Sequence, residues 1–184
     1  MPPSGEDIEI FRRIAARDRE ALAQFYDQAA GPLFSLALRI LGDPPEAEEV
    51  VQDVFVQIWD KAAWFNPAMG SPLHWALSIA RNRSIDRLRA RQRRSRLAAE
   101  LEETAAAATA EPGLPAGLPA DEIAVIRSAV KSLPADQRQA IELAFFGGLT
   151  HLEIAEAMKE PLGTVKARIR RGMLKLRDSL QPYA

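Results

Sequence analysis

Thr150–Arg177 reads THLEIAEAMKEPLGTVKARIRRGMLKLR. A threonine followed three residues later by a glutamate is a capping-box pattern, and here it opens a short run with helical apolar spacing. A tight turn containing proline and glycine follows, and then a second, longer helix. Ile154, Ala155 and Met158 give the first helix an inner face, and Val165, Ile169, Gly172, Met173 and Leu176 give one to the second. Helix, tight turn, helix is the signature of a helix-turn-helix.

The outer face of the second helix carries Lys166, Arg170 and Arg171, flanked by Arg168, Lys175 and Arg177, with the small Ala167 among them. A helix fits the major groove of DNA, where Arg and Lys read guanine edges or grip phosphates, and alanine permits close approach to a base edge or a thymine methyl. A helix that only faced water would intersperse acids as i,i+4 partners. Between Pro161 and Arg177 there are six bases and no acid. DNA binding is the expectation for this half.

Upstream, Asp121–Lys131 and Pro134–Phe146 read as two more helices, the second starting at a proline and ending at Gly147-Gly148. Residues 97–120, LAAELEETAAAATAEPGLPAGLPA, hold alanine and acids, then three prolines and two glycines, which is the composition of a flexible linker. Before it, helices are expected over Asp7–Ala29, Pro32–Leu41, Glu46–Trp64 and about Leu73–Arg96, with a Pro/Gly-rich loop, NPAMGSP, ahead of the last. The strand signal is nearly absent. The expected fold is all-α: two small helical domains, 6–96 and 121–180, joined by the linker 97–120.

Charge is strongly segregated in a chain of 184 residues whose net charge is only −1. Asp43–Asp53 holds five acids and no base, and Glu100–Glu122 holds six acids and no base, whereas Arg81–Arg96 carries eight arginines against Asp86. One such run is as readily a solvated face as a binding site. Two basic blocks suggest two separate contacts with a polyanion.

Other chemistries find little support. With no cysteine, disulfides, thiolate zinc sites and cysteine nucleophiles are excluded. His74 and His151 are lone histidines without a second ligand at metal spacing, so neither metal nor cofactor is expected. There is no phosphate-cradling glycine loop and no nucleophile paired with a base, so the chain is not expected to be an enzyme or to take a small-molecule substrate. No apolar run reaches the roughly 18 residues of a membrane span. The acidic opening MPPSGEDIEIF is unlike a signal peptide, which makes the cytoplasm the expected location.

In the first half, Glu46–Trp64 buries Val50, Val51, Val54, Phe55, Ile58, Trp59 and Ala62 on one side. Its opposite face is Glu49, Gln52, Asp53, Val56, Gln57 and Asp60, which suits water or a partner helix bearing arginines. Trp64 could belong to core or contact. Downstream, Trp75 starts a helix that becomes progressively rich in arginine. Aromatics beside bases suit single-stranded nucleic acid, because bases stack on rings while arginines hold the backbone.

AEEVVQDVFVQIWDKAAWF (47–65), SPLHWALSIARNRSIDRLRARQRR (71–94) and LPADQRQAIELAFFGGLTHLEIAEAMKEPLGTVKARIRRGMLKLR (133–177) together resemble the extracytoplasmic-function (group IV) sigma factors of bacterial RNA polymerase. The resemblance spans nearly the whole chain, with the motifs in the family's order. It implies an alternative sigma factor, with region 2 at 6–96, a linker at 97–120 and region 4 at 121–180. Core RNA polymerase (β′ clamp helices and β flap), promoter DNA and an anti-sigma factor are the implied partners. Gln52, Asp53, Val56 and Gln57 match positions that bind the clamp helices. Asn66 and Met69 fall in the loop that captures a flipped base of the −10 element, and Trp75, Arg81, Asn82 and Arg83 match the melting and −10 recognition helix. Lys166, Ala167, Arg168, Arg170 and Arg171 fall where the family reads the −35 element. In the linker, Glu100, Glu102, Glu103 and Glu111 fit an acidic strand lying in the RNA-exit path. Where many members have WLYRIARN this chain has WALSIARN, so stacking by a ring falls to Trp75.

Two rival classes follow from the residues alone. A stand-alone helix-turn-helix regulator would use its first half to bind a ligand or dimerise. An all-helical adaptor that never touches DNA conflicts with the acid-free last helix.

Overall fold

The computed structural model describes residues 4–99 and 120–181, with the side chains of 96–99 and 120–123 left undescribed. Every regular element among the described residues is helical. They fall into two units, one within 1–117 and the other within 118–184. The expected linker therefore lies outside the described residues except at its ends, as do its four glutamates.

The first unit comprises α1 (Gly5–Ala15), α2 (Arg19–Leu41), α3 (Pro44–Lys61), 3₁₀ turns at Ala62–Trp64 and Pro67–Met69, and α4 (Pro72–Ala99). Its boundaries follow local chemistry. Ser4 and Asp7 form a reciprocal capping box on α1. Asp18 caps α2 by accepting from the backbone N–H groups of Glu20 and Ala21. Asp43 caps α3, whose first residue is Pro44. Gly42 ends α2 at φ 67°, the left-handed conformation that costs glycine least.

Two sequence expectations change here. The first two helices do not divide at Gly31-Pro32. The chain breaks instead at Ala16–Asp18, where Arg17 takes φ 67°, and α2 runs unbroken through Pro32 to Leu41. A proline inside a helix forfeits one backbone hydrogen bond, but the Pro32 ring is fully buried, between the buried Ala29, Leu33 and Leu36. Apolar burial on both sides of Pro32 keeps α2 continuous. In addition, Trp59 is only partly buried, and the guanidinium of Arg17 sits 5.2 Å from its ring centroid.

The core of this unit joins α2 to α3 and α4 through Val50, Val54, Ile58, Ala76 and Ala80, all at 0 % exposure. A cluster of rings closes one end. Phe11 packs edge-on against Phe25 at 4.9 Å and near Phe65 at 5.0 Å, and Trp75 lies 5.8 Å from both Phe11 and Phe65. These contacts tie the 3₁₀ turns, and the start of α4, to α1.

The second unit comprises α5 (Ala120–Lys131), α6 (Ala135–Phe145), α7 (His151–Met158) and α8 (Leu162–Leu180). The capping box expected at Thr150 is present: Thr150 Oγ1 accepts from the N–H of Glu153, and Glu153 accepts from the N–H of Thr150. Ala140, Ile154, Ala155 and Val165 form its core, with Leu143, Leu149, Met158 and Ile169 packed around them. Lys159 ends α7 in the left-handed region at φ 54°, and α8 starts three residues later. Met173, expected on the inner face, is 53 % exposed. The α6–α8 approach rests on Gly172 instead, where a Cβ would lie 2.6 Å from Ile141 Cδ1.

No helix among the described residues is long and apolar enough to cross a membrane.

Candidate nucleic-acid and partner interfaces

On α8, Lys166, Ala167, Arg170 and Arg171 are exposed, and Arg171 Nε donates to the Ala167 carbonyl at 3.2 Å. Lys175 and Arg177 continue the exposed basic surface, with Arg177 paired to its neighbour Asp178. Arg168 differs from the outward position expected for it. Its side chain is 18 % exposed, with Nε 2.8 Å from Asp136 Oδ2 and Nη2 3.0 Å from Glu160 Oε1. The acids that the α8 segment lacks are supplied by α6 and by the turn before α8.

On α3, Gln52 and Val56 face outward, Val56 at 63 % exposure. The arginine-bearing partner helix that this polar face suits is found within the chain. Arg83, Arg87 and Arg91 recur every four residues on α4 and meet α3 in reverse order. Arg83 Nη2 donates to Gln57 Oε1 at 2.9 Å. Arg87 bridges Glu49 and Asp53, the latter at 2.9 Å. Arg91 lies 3.8 Å from Glu46 and donates to the Leu41 carbonyl at the end of α2. The Arg87 guanidinium is held above its ordinary pKa, first by its hydrogen bond to Glu49. Part of the arginine block thus fastens α4 to α3.

The remaining arginines behave differently. Arg81 is partly buried, and desolvation, followed by repulsion from Arg89, lowers its pKa. Asn82, Arg93 and Arg94 are exposed, while the Arg96 side chain lies outside the described set. Trp75 is partly buried in the ring cluster. The ring that stands out is Trp64, 78 % exposed, with Lys61 Nζ 5.7 Å from its centroid. Nearby in sequence, Met69 is 85 % exposed. Asn66 Oδ1 accepts from the Ala68 N–H and shapes the turn, and Gly70 takes φ 127°, a region that disfavours side chains. By helical spacing from α3, Trp64 follows Asp60 and Gln57 on the polar face, opposite the Val50, Val54 and Ile58 stripe. The 3₁₀ turn Ala62–Trp64 follows α3 directly and leaves the ring exposed.

Comparison with known proteins gives one answer. The model for Sigma-70 region 2 matches residues 25–94, and that for Sigma-70, region 4 matches 123–176. The chain is 36 % identical over 177 residues to the ECF RNA polymerase sigma factor SigK of Mycolicibacterium vanbaalenii, covering 93 % of this chain and 87 % of the relative. It is 34 % identical over 184 residues to the SigK of Mycobacterium tuberculosis H37Rv, covering 97 % and 96 %. Among solved structures it is similar to Rhodobacter sphaeroides SigE in complex with the anti-sigma ChrR (32 % identity, 94 % and 97 % coverage, TM-score 0.47). It is also similar to the sigma factor RpoE in complex with the anti-sigma factor NepR from Bartonella quintana (26 %, 86 % and 96 %, 0.41). With both halves matched in order, and relatives above 30 % identity along almost its whole length, the chain belongs to the extracytoplasmic-function sigma factors of bacterial RNA polymerase.

Proposed function

We propose that the two units of this alternative sigma factor divide the work of transcription initiation. The first binds core polymerase and the −10 element, and the second reads the −35 element. In the first unit, Gln52, Asp53, Val56 and Gln57 dock on the β′ clamp helices. Asn66 and Met69 hold a flipped −10 base, and Trp75, Arg81, Asn82 and Arg83 bind melted DNA, with Trp64 as an additional stacking surface. In the second unit, Lys166, Ala167, Arg170 and Arg171 enter the major groove, braced by Arg168, and the β flap engages the same unit. The observation that carries the reading is the exposed basic face of α8 on a helix whose opposite side, Val165 and Gly172, is buried in a helix-turn-helix core.

The polymerase role of α3 rests on the outward Gln52 and Val56 beside Asp53 and Gln57. The protein acts by binding, with no reaction of its own, and works in the cytoplasm with the polymerase. An anti-sigma factor is the remaining partner that the family resemblance brings.

Gln52→Ala and Val56→Arg, which leave the Arg83 and Arg87 contacts of α3 in place, should weaken capture of core polymerase, and of a β′ clamp-helix fragment, while leaving the helical circular dichroism intact. Unchanged affinity of both variants for the clamp helices would refute the assignment of this face.

A further inference from the structure

Arg168 is the one cation in Pro161–Arg177 that is drawn to the interior. It stands three residues after Val165 and four before Gly172, so it shares their inward stripe. Its two partners come from different elements. Asp136 lies in the first turn of α6, and Glu160 lies in the turn between α7 and α8, directly after the left-handed Lys159. The guanidinium is a rigid planar fork, and here its Nε and Nη2 each take one carboxylate, at 2.8 and 3.0 Å.

We infer that Arg168 is a positioning residue for −35 recognition: an internal strut that sets the angle of α8 against α6 and the turn, and that spends none of its charge on DNA. The inference deepens the −35 reading and rests on it. Base readout needs donors held to within fractions of an ångström, whereas phosphate attraction tolerates misplacement. Loss of the strut therefore blurs base preference while leaving the electrostatic term unchanged. Its acidic partners make the case testable, because removing an acid near DNA ought to strengthen nonspecific binding. If the strut matters, removing those acids weakens discrimination all the same.

The test uses holoenzyme assembled from the full chain and core polymerase, on duplexes randomised over the upstream element. Bound DNA is sequenced, and one selected duplex is titrated with salt. Arg168→Gln, and separately Asp136→Asn with Glu160→Gln, should each lower the ratio of selected to scrambled binding about tenfold, the size of one lost base-pair match. Both should leave the slope of log affinity against log salt at the parent value. Arg170→Gln should reduce that slope by about 0.9 if it touches a phosphate, or lose preference at one base position if it reads a base.

The strut is overturned if Arg168→Gln itself reduces the slope by about 0.9, or if the acid variants keep the parent's preference; in either case the −35 reading stands. If Arg170→Gln and Arg171→Gln alter neither slope nor preference, the −35 reading of α8 fails instead. Should Arg168→Gln unfold the second unit, the acid pair alone decides. A charge exchange, Arg168→Glu with Asp136→Arg and with Glu160→Gln to remove the second acid, should recover part of the preference if the strut is real. Failure of the exchange alongside unaffected acid variants counts against it.

Discussion

Asp18 sits where α1 gives way to α2. Its carboxylate accepts two α2 backbone N–H groups and pairs with Arg13 at 2.7 Å. The Arg13 hydrogen bond, followed by the cap to Ala21, holds its pKa below the ordinary 3.8. A depressed carboxylate stabilises the fold above its unfolded pKa, and the contribution is lost as pH falls through the folded value. The Tm difference between parent and Asp18→Asn should therefore be full at pH 7 and shrink only below pH 3.8; a difference constant from pH 7 to pH 2 would contradict this. Among the arginines, Arg170→Ala or Arg171→Ala should cost about 1–3 kcal/mol per lost base contact and relax −35 preference. Arg93→Ala or Arg94→Ala should weaken binding to all sequences alike and flatten its salt dependence. Indistinguishable salt titrations on matched and scrambled promoters would show that this division into readers and grippers is wrong. Trp64→Ala should slow promoter opening, with about 1–3 kcal/mol lost if one base stacks on the ring. Wild-type opening kinetics for that variant would remove Trp64 from the −10 surface.

At the scale of elements, the recognition helix depends on a close crossing. A Cβ at Gly172 would meet Ile141 Cδ1 at 2.6 Å and Gln137 Cβ at 3.3 Å. The end of the Ile141 side chain can turn away from a methyl, so Gly172→Ala should be mild. Gly172→Leu has to push α8 off α6 and should cost about 1–3 kcal/mol in urea unfolding followed by circular dichroism. A neutral leucine would mean that the crossing is loose. Much of this unit was legible in the sequence, because Thr150 with Glu153, the KEPLG turn and the Val165 stripe are local signals. The α1–α2 break was not. A Gly-Pro pair reads as a stop, yet burial of Pro32 among its neighbours overrode it, and the actual stop is a left-handed Arg17 that composition does not mark. The role of Arg168 was hidden because its partners, Asp136 and Glu160, lie outside the run being counted. The α3–α4 ladder was half visible. An acid run at 43–53 and arginines every fourth residue at 83, 87 and 91 are complementary patterns, but reading each as an outward face separated them.

On the scale of the whole molecule, a net charge of −1 and two basic surfaces describe a protein with little general pull toward DNA. Some of its arginines are committed inward, Arg87 and Arg91 to α3 and α2, and Arg168 to α6 and the turn. Exposed arginines remain near the end of α4, at Arg93 and Arg94, and on α8, at Arg170 and Arg171. A stand-alone helix-turn-helix regulator would bind a palindrome as a symmetric dimer. A sigma factor instead uses asymmetric sites and depends on the polymerase. The most direct measurement is transcription in vitro from linear templates with randomised upstream DNA, using core polymerase with and without this chain and sequencing the RNA 5′ ends. We predict that transcripts appear only with the chain, from templates sharing a −35 and a −10 block, with the −35 block blurred by Arg171→Ala and the yield reduced by Val56→Arg. Transcription that does not depend on the chain, or tight binding of a palindrome by the chain without polymerase, would contradict the account.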